Sequence, residues 1–334
     1  MASIQDLDRR IRSVTNTRKI TKAMEMIAAA KLRRAQQRIV TLRPFADTLV
    51  ELTARVARGI QAGSLHPLLQ ERDVTDLCIV MFTGDRGLAG GLNANVLRRS
   101  VAVAKEWEAQ GVNVHWIGVG KKGVGSLQFR KLTVDQAYRG ITDSPKFRDA
   151  EEIATGIIGQ FNDGTYDKVV LVYNSFESAM SQRVIVQDLL PLTDELLRQA
   201  LEQTRKDNAK HDPRRTDKPM LAPTDEVSSP HPLHDLNGAK EAHPGHAGYE
   251  SDWFFEPDPD ALLDRLLPTY VEQTVFRALL ESTASEHGAR MTAMRSASDN
   301  AADIIDDVTL AKNRARQAAI TQQILEVVAG AGEG

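Results

Sequence analysis

Two glycine-rich segments contain the residues whose types and spacing could do chemistry. The first, TGDRGLAGGLNANV at 83–96, follows a β-rich run and precedes a helical pattern, which is where phosphate-binding loops occur. Its glycines are spaced Gly84-x-x-Gly87-x-x-Gly90-Gly91. This spacing matches neither GxGxxG nor GxxxxGK[ST], the two common phosphate-binding patterns. We therefore interpret the segment as a tight turn between a strand and a helix.

The second segment, GVGKKG, does fit GxGxxG through Gly118, Gly120 and Gly123. That pattern would place a dinucleotide at a helix N-terminus and so indicates a nucleotide-dependent oxidoreductase. However, the segment follows the second strand of the unit. The acid that should bind a ribose about 20 residues later is also missing, since Asp143 lies in a loop beside Pro145. The oxidoreductase is kept as an alternative, and we expect no cofactor.

Potential metal ligands and nucleophiles do not combine into a site. The pairs His231/His234 and His243/His246 could bind Zn²⁺ or Ni²⁺, but they lie in a Pro- and Gly-rich segment without a nearby cysteine. The single cysteine, Cys78, lies in an apolar run and offers no disulfide framework. No Ser-His-Asp or Cys-His arrangement is recognisable. We therefore expect no catalytic residue and no metal among these positions.

Positive charge is concentrated at the start of the chain. Residues 1–43 carry eleven Lys or Arg and three Asp or Glu, whereas the whole chain has a net charge of −3. This excess could neutralise phosphates, so a coiled-coil nucleic-acid-binding protein is a second alternative. The segment has no aromatic residue before Phe45, however, and its apolar stripe indicates a protein partner rather than nucleic acid. The basic face that could meet an acidic protein surface comprises Arg18, Lys19, Lys22, Lys31, Arg33 and Arg34.

Helical periodicity extends over both ends of the chain. From residue 3 to residue 43 no Gly or Pro occurs and apolar residues recur every three or four positions, a period that continues past Pro44 to about Ile60. Residues 269–329 contain no Pro and one Gly, and their seam is rich in Ala and Ser. Small seam residues allow close approach of two helices. The sequence thus predicts two long helices that pair as a coiled coil.

Strand and helix patterns alternate between these two helices. The strand-like runs, rich in β-branched residues, are 77–82, 112–119, 167–176 and 182–190. Helical patterns separate the first three runs, at 93–109 and 146–161. This alternation predicts an α/β domain with a mostly parallel sheet. A short amphipathic helix at 194–203 leads into a Pro- and His-rich segment, 204–250, which we interpret as a mobile insert.

Five long segments resemble the gamma-subunit family of F-type ATP synthases, in its bacterial form. They are NTRKITKAMEMIAAAKLRRAQ, GDRGLAGGLNANV, YESDWFFEPDPDALLDRLL, ASEHGARMTAMRSASDNAADII and NRARQAAITQQILEVVAGA. In order, they extend over nearly the whole chain. The resemblance implies the α/β fold of that family, in which an antiparallel coiled coil of long N- and C-terminal helices joins a Rossmann-like α/β domain. It also implies a non-catalytic central rotor shaft.

The resemblance implies specific partners as well. The coiled coil would turn inside a ring of three alpha and three beta subunits, while the Rossmann-like domain would stand on the membrane c-ring beside the epsilon subunit. Rotation would couple proton flow to ATP synthesis or hydrolysis and regulate the ATPase activity. We therefore expect a peripheral location on the cytoplasmic side of the cell membrane, reached only through the complex. No apolar run of about 18 residues provides a membrane span.

Single positions follow from the matched segments. Met24 in KAMEM, Arg290 in GARMTAM and Gln317 in RARQAAI match family positions at the interface with the catalytic subunits. The foot segment WFFEPDP provides the candidates for contact with the c-ring, Trp253, Phe255 and Glu256. An aromatic anchor beside a carboxylate suits a joint that must not slip.

Patterns and resemblance together divide the chain into five regions. These are the N-terminal helix at 1–60, the α/β domain at 74–192, the amphipathic helix and mobile insert at 193–252, the foot segment at 253–260, and the C-terminal helix at 261–330. The insert is expected to exceed the family norm in length. The C-terminal segment VVAGAGEG has small, apolar side chains. We expect this end of the shaft to rotate within the surrounding subunits with little friction.

Overall fold

Two long helices dominate the computed structural model, which describes residues 3–59, 66–210 and 259–331. Helix α1 is Ile4–Gly59 and helix α6 is Pro259–Ala331. At 1.5 Å per residue they are about 84 Å and 110 Å long. Helix α1 continues through Pro44, as its apolar period predicts. The carbonyl that the proline leaves without a helical donor belongs to Val40, an exposed residue, so water can satisfy it.

The two long helices run antiparallel in a constant register. Lys312 Nζ of α6 lies 2.5 Å from Asp8 Oδ1 of α1, and Arg295 Nε lies 3.0 Å from Glu25 Oε1. These contacts are 17 residues apart in both helices, from 8 to 25 and from 295 to 312. The pairing therefore keeps its register over about 25 Å.

Small side chains occupy the seam of this coiled coil. Ala28, Ala35, Ala284 and Ala301 are all at most 6% exposed, and Leu32 packs with two of them in one cluster. Alanine lets two helix backbones approach closely, which increases the van der Waals contact between them. The alanine-rich pattern of the sequence thus has its explanation in the packing of α1 against α6.

Between the long helices the chain forms an α/β domain around a five-stranded sheet of order β3-β2-β1-β4-β5. Strand β5 is antiparallel to β4, and the other neighbouring strands are parallel. The strands are β1 (Asp76–Phe82), β2 (Asn113–Val119), β3 (Gln136–Tyr138), β4 (Lys168–Phe176) and β5 (Gln182–Leu190). The helices are α2 (Leu92–Glu108), α3 (Lys121–Phe129), α4 (Phe147–Asn162) and α5 (Asp194–Lys210). The fold class, α/β with a coiled coil of the terminal helices, is confirmed.

Two elements differ from the sequence prediction. Strand β3 was not predicted, because three residues are too few to show a period. Helix α5 continues to Lys210 instead of ending at residue 203, because no Gly or Pro interrupts the chain before Pro213. Residues 204–210, predicted from the sequence to belong to the insert, are therefore helical. The remainder of that insert lies outside the described residues.

Both faces of the sheet are buried, and α6 contributes to one of them. Alternate side chains of β1 point to opposite faces, so Val80 packs in a core with Val271 and Val275 of α6. Ile79 packs instead with Val96 of α2 and Leu127 of α3. Helix α6 is thus part of the α/β core and one half of the coiled coil. Within the described ranges, no helix is apolar enough over a sufficient length to cross a membrane.

Candidate functional site

The glycine-rich loop at 83–91 leaves β1 and packs against α6. A Cβ at Gly84 would lie 2.6 Å from the carboxyl carbon of Glu286, so glycine allows the loop to lie against this carboxylate without displacing it. The Gly87 carbonyl accepts a hydrogen bond of 3.2 Å from Arg290 Nη2, and Arg290 also pairs with Glu286. These glycines bring the loop onto a buried ion pair of α6 instead of forming a phosphate cradle.

The GxGxxG segment packs against the end of β1. Gly120 has a φ of +94°, and a Cβ there would lie 2.0 Å from the Thr83 carbonyl oxygen. A Cβ at Gly123 would lie 2.5 Å from Thr83 Oγ1, which accepts a hydrogen bond of 2.9 Å from the Gly123 N–H. The same hydroxyl donates to the Val119 carbonyl at 3.0 Å. The glycine spacing therefore allows a close turn between β2 and α3.

A carboxylate of the chain itself occupies the N-terminus of α3, a type of position that can bind a phosphate. Asp85 Oδ1 accepts from the backbone N–H groups of Lys121 at 3.0 Å and Gly140 at 2.9 Å. Its Oδ2 accepts from the N–H and the hydroxyl of Thr142 at 3.1 and 2.9 Å. Burial opposes ionisation, but these hydrogen bonds outweigh it and lower the pKa of Asp85. Because Asp85 engages the Lys121 N–H, the first donor of α3, this position is not open to the phosphate that the oxidoreductase alternative requires.

The loop at 139–145 joins this arrangement to both long helices. Lys31 Nζ of α1 lies 2.7 and 2.6 Å from the two carboxylate oxygens of Asp143. Thr283 of α6 donates to the Thr142 carbonyl at 2.8 Å. Burial favours protonation of Asp143, but the bond from Lys31 outweighs it, so the pKa of Asp143 is lowered. The Lys31–Asp143 ion pair is therefore formed at neutral pH.

Two titratable side chains of α6 are buried at the same place. Burial, together with the charge of Arg290, lowers the pKa of His287 to about 4. The imidazole is then neutral at pH 7, so its 4.0 Å approach to Asp143 is not an ion pair. Burial raises the pKa of Glu286, against the opposing effect of Arg290. Both groups are enclosed between α6 and loops of the α/β domain, which suits a structural contact better than substrate chemistry.

The three predicted interface residues lie in different surroundings. Met24 is half-buried on α1, and Gln317 is exposed on α6. Arg290 is 7% exposed and bonded within the chain to Glu286 and Gly87. From Arg290 to Gln317 is 27 residues of helix, or about 40 Å, so these two side chains are not brought together. The role of all three at an interface stays a prediction.

The other predicted positions divide into paired, exposed and undescribed residues. Lys22 and Lys31 of the basic face have carboxylate partners within the chain, at Glu25 and Asp143. The remaining members are exposed, namely Arg18, Lys19, Arg33 and Arg34. Outside the described residues lie Trp253, Phe255, Glu256 and the histidines 231, 234, 243 and 246. Within the described ranges, no three metal-ligating side chains come together.

Sequence reasoning missed Asp85 and Thr142 as functional candidates. Asp85 lies in the glycine-rich segment, but no pattern assigns a role to its carboxylate, and its contact with Thr142 joins loops that are 57 residues apart in the chain. The only signal was indirect: the glycines at 84–91 are conspicuous yet fit no phosphate-binding pattern. A glycine run without a ligand motif can indicate close packing of the backbone against another element.

Comparisons with known proteins extend over nearly the whole chain. The family model described as ATP synthase matches residues 3–332. The chain is 40% identical over 332 residues to the ATP synthase gamma chain of Rippkaea orientalis, and 39% identical over 331 residues to that of Desulforamulus reducens. Each alignment covers 99% of both chains. These relatives therefore have nearly the same total length, which gives no support to an insert that makes this chain unusually long.

Solved structures share the fold at lower identity. One is the central stalk and c-ring of the Tetrahymena thermophila mitochondrial ATP synthase, with a TM-score of 0.53, 24% identity and coverage of 84% of this chain and 99% of that one. Another belongs to the Euglena gracilis mitochondrial ATP synthase in rotational state 3, with a TM-score of 0.59, 17% identity and coverage of 98% and 93%. At these identities, both structures show similarity of fold alone.

Proposed function

This chain belongs to the ATP synthase gamma-chain family, and from that membership we propose that it is the central shaft of an F-type ATP synthase. The coiled coil would rotate within a ring of alpha and beta subunits, coupling proton flow through the c-ring to ATP synthesis or hydrolysis. One observation carries the proposal. Helix α6 is continuous from the α/β core to the far end of the coiled coil, so turning the domain must turn the rod.

A rod of two unlike helices can act differently on three equivalent sites. Its exposed apolar side chains differ around the axis, with Ile20 and Ile27 on α1 and Ile304 and Leu310 on α6. Each surrounding catalytic subunit would therefore meet a different surface. A difference in contact free energy becomes a difference in nucleotide affinity at each site. Rotation would take every site through the same sequence of affinities.

We further propose that Met24, Arg290 and Gln317 serve the interface with the catalytic subunits. The exposure of Gln317 and the partial exposure of Met24 support direct contact. Arg290 would act indirectly, because it holds the Gly87 carbonyl and so positions the loop whose Leu88 is 63% exposed.

At the opposite end, the foot segment would contact the c-ring through Trp253, Phe255 and Glu256, with the epsilon subunit beside the α/β domain. Glu256 lies three positions before Pro259 in the chain, and α6 begins at Pro259, so force applied at these residues would enter close to the start of the long helix. The chain would then be a peripheral protein on the cytoplasmic side of the cell membrane, held there through the complex.

Affinity purification from membranes, followed by mass spectrometry, tests this function. We expect a tagged chain to recover alpha, beta, epsilon and c subunits, and an untagged chain to serve as the background control. Recovery of the tagged chain without any of these subunits would contradict the proposal. Isothermal titration with NAD should detect no tight site, because Asp85 engages the first backbone N–H of α3 and the N–H of Gly140.

A further inference from the structure

Two loops of the α/β domain, at 83–91 and 139–145, contact the two long helices where the carboxyl ends of the strands face the coiled coil. The loop at 83–91 contacts α6 through Gly87 and Arg290. The loop at 139–145 contacts α6 through Thr283, and α1 through Lys31 and Arg38. Both long helices are thus bonded to the α/β domain at one level along the rod.

Asp85 connects the two loops to each other. Its N–H donates to Thr142 Oγ1 at 2.9 Å, and that hydroxyl donates back to Asp85 Oδ2 at 2.9 Å. The carboxylate also accepts from the backbone of Lys121 and Gly140. A single side chain therefore holds the glycine loop, the second loop and the start of α3 in one arrangement. A carboxylate suits the start of α3, because helix N-termini favour negative charge.

Resistance to twisting differs between apolar and polar contacts. The apolar core between α6 and the sheet is close-packed and resists rotation of α6 within the domain through steric contact. Hydrogen bonds and ion pairs are directional, because they weaken steeply when their distance or angle changes. The polar contacts at Lys31, Asp143, Thr142, Thr283 and Arg290 therefore add a directional constraint that holds both long helices to the domain at one level along the rod.

We propose that this network stiffens the joint that transmits torque between the α/β domain and the coiled coil, with Asp85 as its central positioning residue. The proposal rests on the proposed rotor function, and it assigns a mechanical role to the carboxylate at the N-terminus of α3. Loosening the joint would leave ATP hydrolysis running while rotation of the shaft is transmitted incompletely to the foot.

The test uses the assembled complex in vesicles and isosteric variants. Asp85→Asn keeps the shape but faces donors with an amide, and Thr142→Val removes the hydroxyl that bonds Asp85 in both directions. Matched controls are Thr142→Ser, which keeps the hydroxyl, and Asp163→Asn, an exposed acid of the same domain. ATP hydrolysis and ATP-driven proton pumping are measured on the same vesicles.

We expect Asp85→Asn and Thr142→Val to lower protons pumped per ATP by about threefold or more, with hydrolysis retained. Both controls should match the wild type. The proposal would be contradicted if Asp85→Asn and Thr142→Val pumped as many protons per ATP as the wild type. It would also be contradicted if Thr142→Ser lost as much pumping per ATP as Thr142→Val. Failure of the wild-type chain to recover c subunits would instead overturn the rotor function. If Asp85→Asn does not assemble, Thr142→Val alone decides between these outcomes.

Discussion

Gly120 is the glycine at which an added methyl group should be most damaging. Its φ is +94°, and a Cβ would lie 2.0 Å from the Thr83 carbonyl oxygen, a backbone atom that cannot move aside. We expect Gly120→Ala to lower the free energy of unfolding by about 3 kcal/mol or more, measured by urea denaturation. Gly125, inside the helix α3 that Gly120 precedes, has open space around its Cβ position, so Gly125→Ala should be neutral or stabilising. Equal effects of the two substitutions would contradict this explanation.

His115 makes the α/β domain sensitive to pH. Its Nε2 lies 3.1 Å from Asp76 Oδ1, and its Nδ1 lies 2.9 Å from Asp135 Oδ2. Burial disfavours the imidazolium, but the bonds to the two carboxylates outweigh burial and raise the pKa of His115. A pKa raised in the folded state gives stabilisation that is complete below the unfolded value of about 6.5. This stabilisation is lost as pH rises through the pKa of His115 in the folded state.

We therefore expect stability to fall as pH rises above about 6.5, and His115→Gln to remove that part of the fall. The measurement is the urea midpoint as a function of pH, followed by the fluorescence of the buried neighbour Trp116. Below about pH 6.5, His115→Gln should be less stable than the wild type. Parallel profiles for the variant and the wild type would show that His115 is not the titrating group.

At the residue scale, the sequence indicated which positions were unusual but not what they contact. The turn at 83–91 was predicted from its glycines, whereas its partner Glu286 lies 202 residues from Gly84 and could not be inferred. Arg290 was carried over from the family as an interface residue. Only the folded chain brings Gly87 to it, because a helical period does not reveal which loop covers a given face.

Among the elements, the coiled coil depends on small side chains at its seam. Ala35 is 6% exposed and packs with Leu32 and Ala284, so a larger side chain would force the helices apart. We expect Ala35→Leu to destabilise the purified chain by about 1–3 kcal/mol, measured as a shift of the thermal transition in circular dichroism. Ala30→Leu is the control, because Ala30 is exposed on the same helix. A comparable loss in the control would point to helix propensity instead of packing.

Element prediction succeeded where a period is long and failed where it is short. The two terminal helices follow from more than forty residues each with few helix breakers. Strand β3 has three residues, and it exists because β2 offers it an unpaired edge, a tertiary effect that local sequence does not record. The extension of α5 to Lys210 was missed because its polar composition resembles a loop.

For the whole molecule, helix α6 extends past the described start of α1. Since Asp8 lies opposite Lys312, Ile4 lies opposite about residue 316, and α6 continues to Ala331. In this extension Ile320, Ile324 and Leu325 are all about half exposed or more. A single helix of about 15 residues is marginal in water.

We accordingly expect backbone amides of 317–331 to exchange rapidly in the purified chain and to become protected in the assembled complex. Hydrogen exchange with mass spectrometry measures both states. The peptide at 284–298, which is packed on the domain and on α1, should be protected in each. Rapid exchange of 317–331 within the complex would show that the other subunits do not bind this end of α6.

The pairing of the two terminal helices also sets the order of events during biosynthesis. Asp8 and Lys312 are 304 residues apart in the chain. At about 5–20 residues per second, a ribosome completes the second partner roughly 15–60 s after the first. During that interval the apolar stripe of the nascent first helix, and the sheet face that α6 will cover, have no native partner. The earliest segment to leave the exit tunnel is thus among the last to reach its final place, and the newborn chain is most prone to aggregate before translation ends.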